Sequence, residues 1–149
     1  MQIKELKDCV EFKETVITWM NQEFGSKDSM KFFQGVVEHS SSSDGLPKIF
    51  VAVEDGVLLG TAGIWRGDLL SRQDLFPWFS ALIVNQEYRN QHIGQKLQEH
   101  VLADAKTMGY KEIFLYTDLV GYYEKGGWKK IDVGYEYTGT EMTIYRHVI

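Results

Sequence analysis

The spacing of apolar residues changes several times along the chain, and each change marks an element. Gln2–Lys7 alternates apolar and polar positions, the period of a strand. Phe12, Val16, Trp19, Met20 and Phe24 then recur at helical spacing, and Gly25 stands where a C-terminal cap belongs. Asp8 and Glu11 have capping-box spacing ahead of that helix. A second helix is predicted over Met30–Val37, with Met30, Phe33 and Val37 on one face. Ser40–Pro47 is serine-rich and carries Asp44-Gly45 and Pro47, so it reads as a loop. Lys48–Glu54 and Val57–Trp65 are β-rich runs joined by Asp55-Gly56, a type I′ hairpin signal. Arg66–Pro77 is a polar connector, and Trp78–Val84 is the next strand. Ile93, Leu97, Val101, Ala105 and Met108 mark one face of a helix that Gly109 ends. Lys111–Thr117 is a strand and Leu119–Lys125 a short helix stopped by Gly126-Gly127. Trp128–Tyr137 and Glu141–His147 form a closing hairpin around Gly139.

The order β-α-α-β-β-β-α-β-α-β-β predicts an α+β fold, a mixed sheet with helices packed on it. The unit 78–117 is expected to be right-handed if its strands are parallel. With 149 residues, no internal repeat and no dividing linker, the chain is read as one domain, 1–149. A chain of that length has core enough to stand without a staple, and its 44% hydrophobic content sets it apart from disordered sequences.

Charge and cysteine usage narrow the function. The net charge is −5, which disfavours nucleic acid, because phosphate contacts need clustered Lys and Arg; a cationic substrate such as an amine suits this sign better. No apolar run approaches the ~20 residues that span a membrane, and Met1–Leu6 lacks an apolar signal core. The expectation is a cytoplasmic protein with no membrane partner. The single Cys9 excludes an internal disulfide and a cysteine zinc cluster, and it is read as packing within the first helix. His39, His100 and His147 have no ligand spacing, so no metal is expected.

The stretch Tyr88-Arg-Asn-Gln-His-Ile-Gly-Gln-Lys-Leu97 carries the chemistry. A buried strand precedes it and a helix follows. The first amides of a helix lack intrahelical partners and sit at the positive end of its dipole, so this geometry binds phosphate. The stretch resembles the acyl-CoA signature of the GNAT N-acetyltransferases, Arg/Gln-x-x-Gly-x-Gly/Ala. Arg89 and Gly94 match it, and His92 stands where the first glycine is expected. A second stretch, Tyr122-Tyr-Glu-Lys-Gly-Gly-Trp128, resembles the Phe-Tyr-Glu-Lys-x-Gly-Phe pattern of the same family about 30 residues on. Trp19–Gly25 and Asp74–Pro77 are similar to further patterns of some members. The resemblance is strong over 78–130 and weak over 1–47.

The resemblance implies acetyl transfer from acetyl-CoA to an amine by direct attack through a tetrahedral intermediate. The pyrophosphate would lie over Arg89, Asn90, Gln91, His92, Ile93, Gly94 and Gln95, held mainly by the amides of 91–95. Gly94 would let the backbone approach, whereas His92 is expected to alter the loop's backbone and weaken CoA affinity. The pantetheine arm would pair with the backbone of Leu82, Ile83 and Val84, and a nearby amide would serve the oxyanion. Tyr123 is the matching general acid, with core packing as its alternative and Tyr122 as backup donor. Asp118 would contact the pantetheine arm or the substrate ammonium, or else cap the helix over 119–125.

The general base is unassigned among Glu23, Asp68, Asp74 and Asp118 or a water chain. Lys125, Lys129 and Lys130 are read as a solvated face that could reach the 3′-phosphate. Trp19, Phe24, Trp65 and Trp78 fill the core or line an acceptor pocket. The acceptor is a small-molecule or protein amine. A homodimer is left open, with Glu141–His147 as an edge for pairing. Two other readings stay open. One is dinucleotide binding, against which the full G-x-G-x-x-G is missing. The other is a non-catalytic CoA-binding module with the same fold.

Overall fold

The computed structural model describes residues 1–41 and 45–149. The serine-rich loop expected at 40–47 falls partly outside these residues, at 42–44. Strands β1 (Gln2–Glu5), β2 (Lys48–Glu54), β3 (Val57–Trp65), β4 (Trp78–Val84), β5 (Glu112–Thr117), β6 (Lys129–Tyr135) and β7 (Glu141–Val148) form one sheet in the order β1-β2-β3-β4-β5-β7-β6. Every neighbouring pair is antiparallel except β4 and β5. The α-helices among the described residues are α1 (Lys13–Phe24), α2 (Met30–Ser41) and α3 (Ile93–Thr107).

The periodicity places these elements well. Asp55 and Gly56 both take positive φ, 51° and 75°, and Glu54 pairs with Val57, so the two-residue turn twists with its strands. The apolar stripe of α3 buries Ile93, Leu97, Val101 and Ala105 against Phe50, Ala62, Ile64 and Phe79 on one face of the sheet. The other face is shared. Helices α1 and α2 cover Ile49, Val51 and Leu58, while the connector between β3 and β4 lays Leu69 over Trp78, Phe114 and Ile144.

Several expectations are corrected. The Asp8–Glu11 capping box is absent: two 3-10 turns, Leu6–Asp8 and Val10–Phe12, precede α1, and no side chain caps it. Cys9 lies between those turns rather than in the helix, and it is buried. Gly25 is extended rather than left-handed; it is needed because an added Cβ would lie 2.4 Å from the Asn21 carbonyl oxygen. The helix expected over 119–125 is only a 3-10 turn, Glu124–Gly126: Gly121 at φ 80° interrupts the helical path, and Gly127 at φ 89° ends the turn. The strand Glu141–His147 is not a free edge, since β7 lies between β5 and β6; β1 and β6 are the edges.

Two features open the sheet at its centre. β4 and β5 share one paired position, Trp78 with Phe114, and then separate. On the other side of β4, the register with β3 moves from Thr61–Ile83 to Gly63–Ser80, so Ala81 and Leu82 oppose Ala62 alone. Ala81 takes φ 54° in this bulge. Bulges bend a strand and re-aim its residues, and here the bend sits where β4 leaves β5.

Candidate active site

The loop before α3 is built by backbone conformation. Asn90 and His92 both lie in the left-handed region, at φ 64° and 61°, and Gln91 between them does not. Left-handed residues that alternate with right-handed ones can turn neighbouring amides toward a common side, the geometry of an anion-binding nest. His92 stands in the N-cap position without a side-chain cap, and its carbonyl accepts the first helical bond from the Lys96 amide at 3.0 Å. The amides of Ile93, Gly94 and Gln95 are therefore the free amides of the helix start. His92 takes a conformation that glycine would favour, and His and Asn are enriched there among other residues.

Gly94 is buried at the floor of this loop. A Cβ on it would lie 2.6 Å from Tyr122 Oη, 3.6 Å from Val84 Cγ2 and 3.8 Å from Leu82 Cδ2. The bare Cα therefore lets the Tyr122 hydroxyl pack against it, between β4 and the segment after β5. A side chain there would have to displace that hydroxyl. Leu82 and Val84 are half-buried beside it and Ile83 faces α1 and α2, so the three share only a strand. Arg89 is exposed, its Nε 3.5 Å from the Val84 carbonyl.

A model of the acetyltransferase (GNAT) family matches residues 13–128. The chain belongs to this family. It is thus an acetyltransferase by class, and its likeness to solved GNAT structures extends over nearly its whole length. An aminoglycoside 6′-N-acetyltransferase solved with coenzyme A superposes with a TM-score of 0.76 at 16% identity, covering 99% of this chain and 97% of that one. Ribosomal-protein-alanine N-acetyltransferase from Brucella melitensis gives 0.76 at 12% identity over 100% of both chains. A GNAT acetyltransferase from Elizabethkingia anophelis with acetyl-CoA bound gives 0.61 at 16% identity, covering 78% of this chain and 83% of that one. At these identities the likeness shows the fold alone. No curated protein sequence matches the chain significantly.

The second GNAT stretch closes the α3 side of the opening. Tyr123 is 9% exposed, its ring set among Tyr122, Trp128, Phe79 and Tyr145 at centroid distances of 4.8, 6.2, 6.4 and 6.4 Å. Burial, reinforced by Tyr122, pushes its phenol well above the usual range, so the proton stays on. None of the hydrogen bonds among the described residues uses that hydroxyl. The turn behind it is fixed by three contacts. Trp128 Nε1 donates to Gln98 Oε1 at 3.1 Å, His147 Nε2 meets the Gly126 carbonyl at 3.1 Å, and Gly127 takes a left-handed φ. Asp118 is exposed and caps nothing; the Leu119 amide is taken by Thr117 Oγ1 at 3.0 Å.

On the opposite face of the sheet the connector carries a group that spacing could not single out. Ser80 Oγ donates to Asp68 Oδ2 at 2.8 Å. Burial pushes the Asp68 carboxyl up to about 7; the Ser80 bond lowers it and the Glu136 charge raises it. Part of the residue still meets solvent. Tyr116 of β5 feels the same charges, and its phenol is raised by burial, then by Asp68 and Glu136. Glu23, Asp74 and Asp118 are exposed, and Asp74 is held by Arg72 at 2.9 Å. Trp78 is wholly buried and its Nε1 donates to the Leu75 carbonyl, so it fills the core. Trp19 and Trp65 are half-buried against the α1–α2 cluster, and Phe24 is 52% exposed. Among the described residues no His, Cys, Asp and Glu group is placed to hold a metal, and no helix is long and apolar enough to cross a membrane.

Proposed function

We propose that this chain, acting as one domain over 1–149, transfers the acetyl group of acetyl-CoA to a primary amine by direct attack through a tetrahedral intermediate. The observation that carries this reading is the loop 90–95. Its backbone alternates in hand and runs into free amides beside a bare Gly94, at the mouth of the gap between β4 and β5. That surface offers donors and positive dipole to a pyrophosphate without any fixed cation. The separated edge of β4 past Trp78 leaves the backbone of Leu82, Ile83 and Val84 for an extended thioester arm. Arg89 stands at the rim, where it adds charge to the phosphate side.

Tyr123 is the proton donor in this reading. Its buried phenol keeps its proton, and burial that raises a phenol also raises a thiolate leaving beside it, so the transfer stays accessible. Tyr122, with its hydroxyl over Gly94, lines the arm's path instead. Asp118, exposed at the end of β5, meets the arm or the acceptor's ammonium. The acceptor is a small-molecule or protein amine, and a cytoplasmic site of action agrees with the composition.

Calorimetric titration tests the reading. Acetyl-CoA and CoA are expected to bind in the micromolar range and NAD not at all. Acetylation of a panel of primary amines by the same sample is then expected. Absence of acetyl-CoA binding would defeat the proposal.

A further inference from the structure

We propose that Asp68 is the general base of the transfer, taking the acceptor's proton from the face of the sheet opposite the acetyl-CoA loop. This rests on the acetyltransferase reading above.

Phe79 and Ser80 are consecutive on β4 and so point to opposite faces. On the α3 face Phe79 touches the ring of Tyr123. On the other face Ser80 binds Asp68. The acid and the carboxylate thus flank the same point of β4, where the strand has just left β5 and the bulge at Ala81 begins. A thioester lying in that gap is reached from one face by the phenol and from the other by the carboxylate.

Asp68 is also held in place. Leu69 is 2% exposed and fits over Gly134, where a Cβ would lie 2.6 Å from Leu69 Cδ2. Ser71 Oγ donates to the Tyr135 carbonyl at 2.6 Å, and Arg72 binds Asp132 at 2.9 Å. A base works best when its support is rigid and its pKa lies near the working pH, and burial places this one there. The groups facing it are Ser80 from β4, Tyr116 from β5 and Glu136 after β6, and no cation is among those that perturb it. Asp68 therefore keeps carboxylate lone pairs free for an incoming amine.

The step balances. The acceptor nitrogen gives its proton to Asp68 as its lone pair forms the C–N bond. The C–S bond breaks, and the departing sulfur takes the proton of Tyr123. The proton then returns from Asp68 to the tyrosinate through solvent, leaving amide and free thiol.

The test is Asp68→Asn beside Asp68→Glu, with two readouts. Carbon-13 NMR of aspartate carboxyls needs no acceptor: one wild-type resonance should titrate near 7 and vanish in Asp68→Asn. In the amine panel, kcat/KM of Asp68→Asn should fall about 100-fold or more at pH 7, while Asp68→Glu recovers part of it. The wild-type rate should decline as pH drops through about 7, since protonation removes the base. Acetyl-CoA affinity should be unchanged in both variants. An Asp68 that titrates in the ordinary carboxylate range, or an Asn variant whose loss lies in KM with kcat intact, would overturn the proposal. Loss of acetyl-CoA binding by the wild type would instead overturn the acetyltransferase reading.

Discussion

The two sides of the β4–β5 gap are built in different ways. The loop 89–95 works through its backbone: two left-handed residues, three free amides and one bare glycine. The connector 66–77 works through side chains, gathering Asp68 from a loop, Ser80 from β4, Tyr116 from β5 and Glu136 from beyond β6. A backbone site tolerates a change of side chain that keeps the dihedral angles, and His92 holds φ 61° here. A side-chain site tolerates no change of group but lets the groups come from anywhere in the chain. Under the proposed reading, phosphate binding and proton removal answer to different kinds of mutation.

The largest effect expected on the α3 side is chemical. Tyr123→Phe should lower kcat by roughly 100-fold or more while leaving acetyl-CoA affinity intact, read by steady-state kinetics beside calorimetry. A loss of affinity instead would assign Tyr123 to packing. The backbone side should break next at its floor. Gly94→Val fills the cradle and should weaken acetyl-CoA binding about tenfold or more, or about 1.4 kcal/mol, with little change in fold stability. The connector should break through its frame. Gly134→Val drives a side chain into Leu69 and Ile144 and should cost about 1–3 kcal/mol in urea denaturation, with kcat/KM falling as Asp68 shifts. The smallest effect is at His92. His92→Gly should leave acetyl-CoA affinity and stability within about 1 kcal/mol, because the backbone already holds a glycine conformation. A large gain in affinity would mean that the imidazole obstructs the site.

These contrasts explain what the sequence made legible. The strands, α3 and the Asp55-Gly56 turn follow from periods of two and 3.6 and from local turn chemistry, and each stands within a few residues of its expected place. The loop 89–95 is legible because it is continuous: strand, turn and helix start occupy one short stretch. At His92 the backbone takes φ 61°, a conformation that residue type alone does not announce. Within the segment 119–125 Gly121 takes a left-handed φ of 80°, and only a 3-10 turn, Glu124–Gly126, forms at its end. The position of β7 inside the sheet depends on a long-range crossover that no local pattern encodes. Asp68 was one of four carboxylates with no local mark to separate them. Its distinction is burial beside Ser80, and burial appears only once the connector has folded over β4.

The central claim is that the backbone of 90–95 receives the phosphates of acetyl-CoA. The most direct measurement is a nitrogen-15 amide map of the full chain titrated with acetyl-CoA. The amides of Gln91–Gln95 should move most, followed by those of Leu82–Val84, at micromolar ligand. Saturating ligand that leaves those amides unmoved would contradict it.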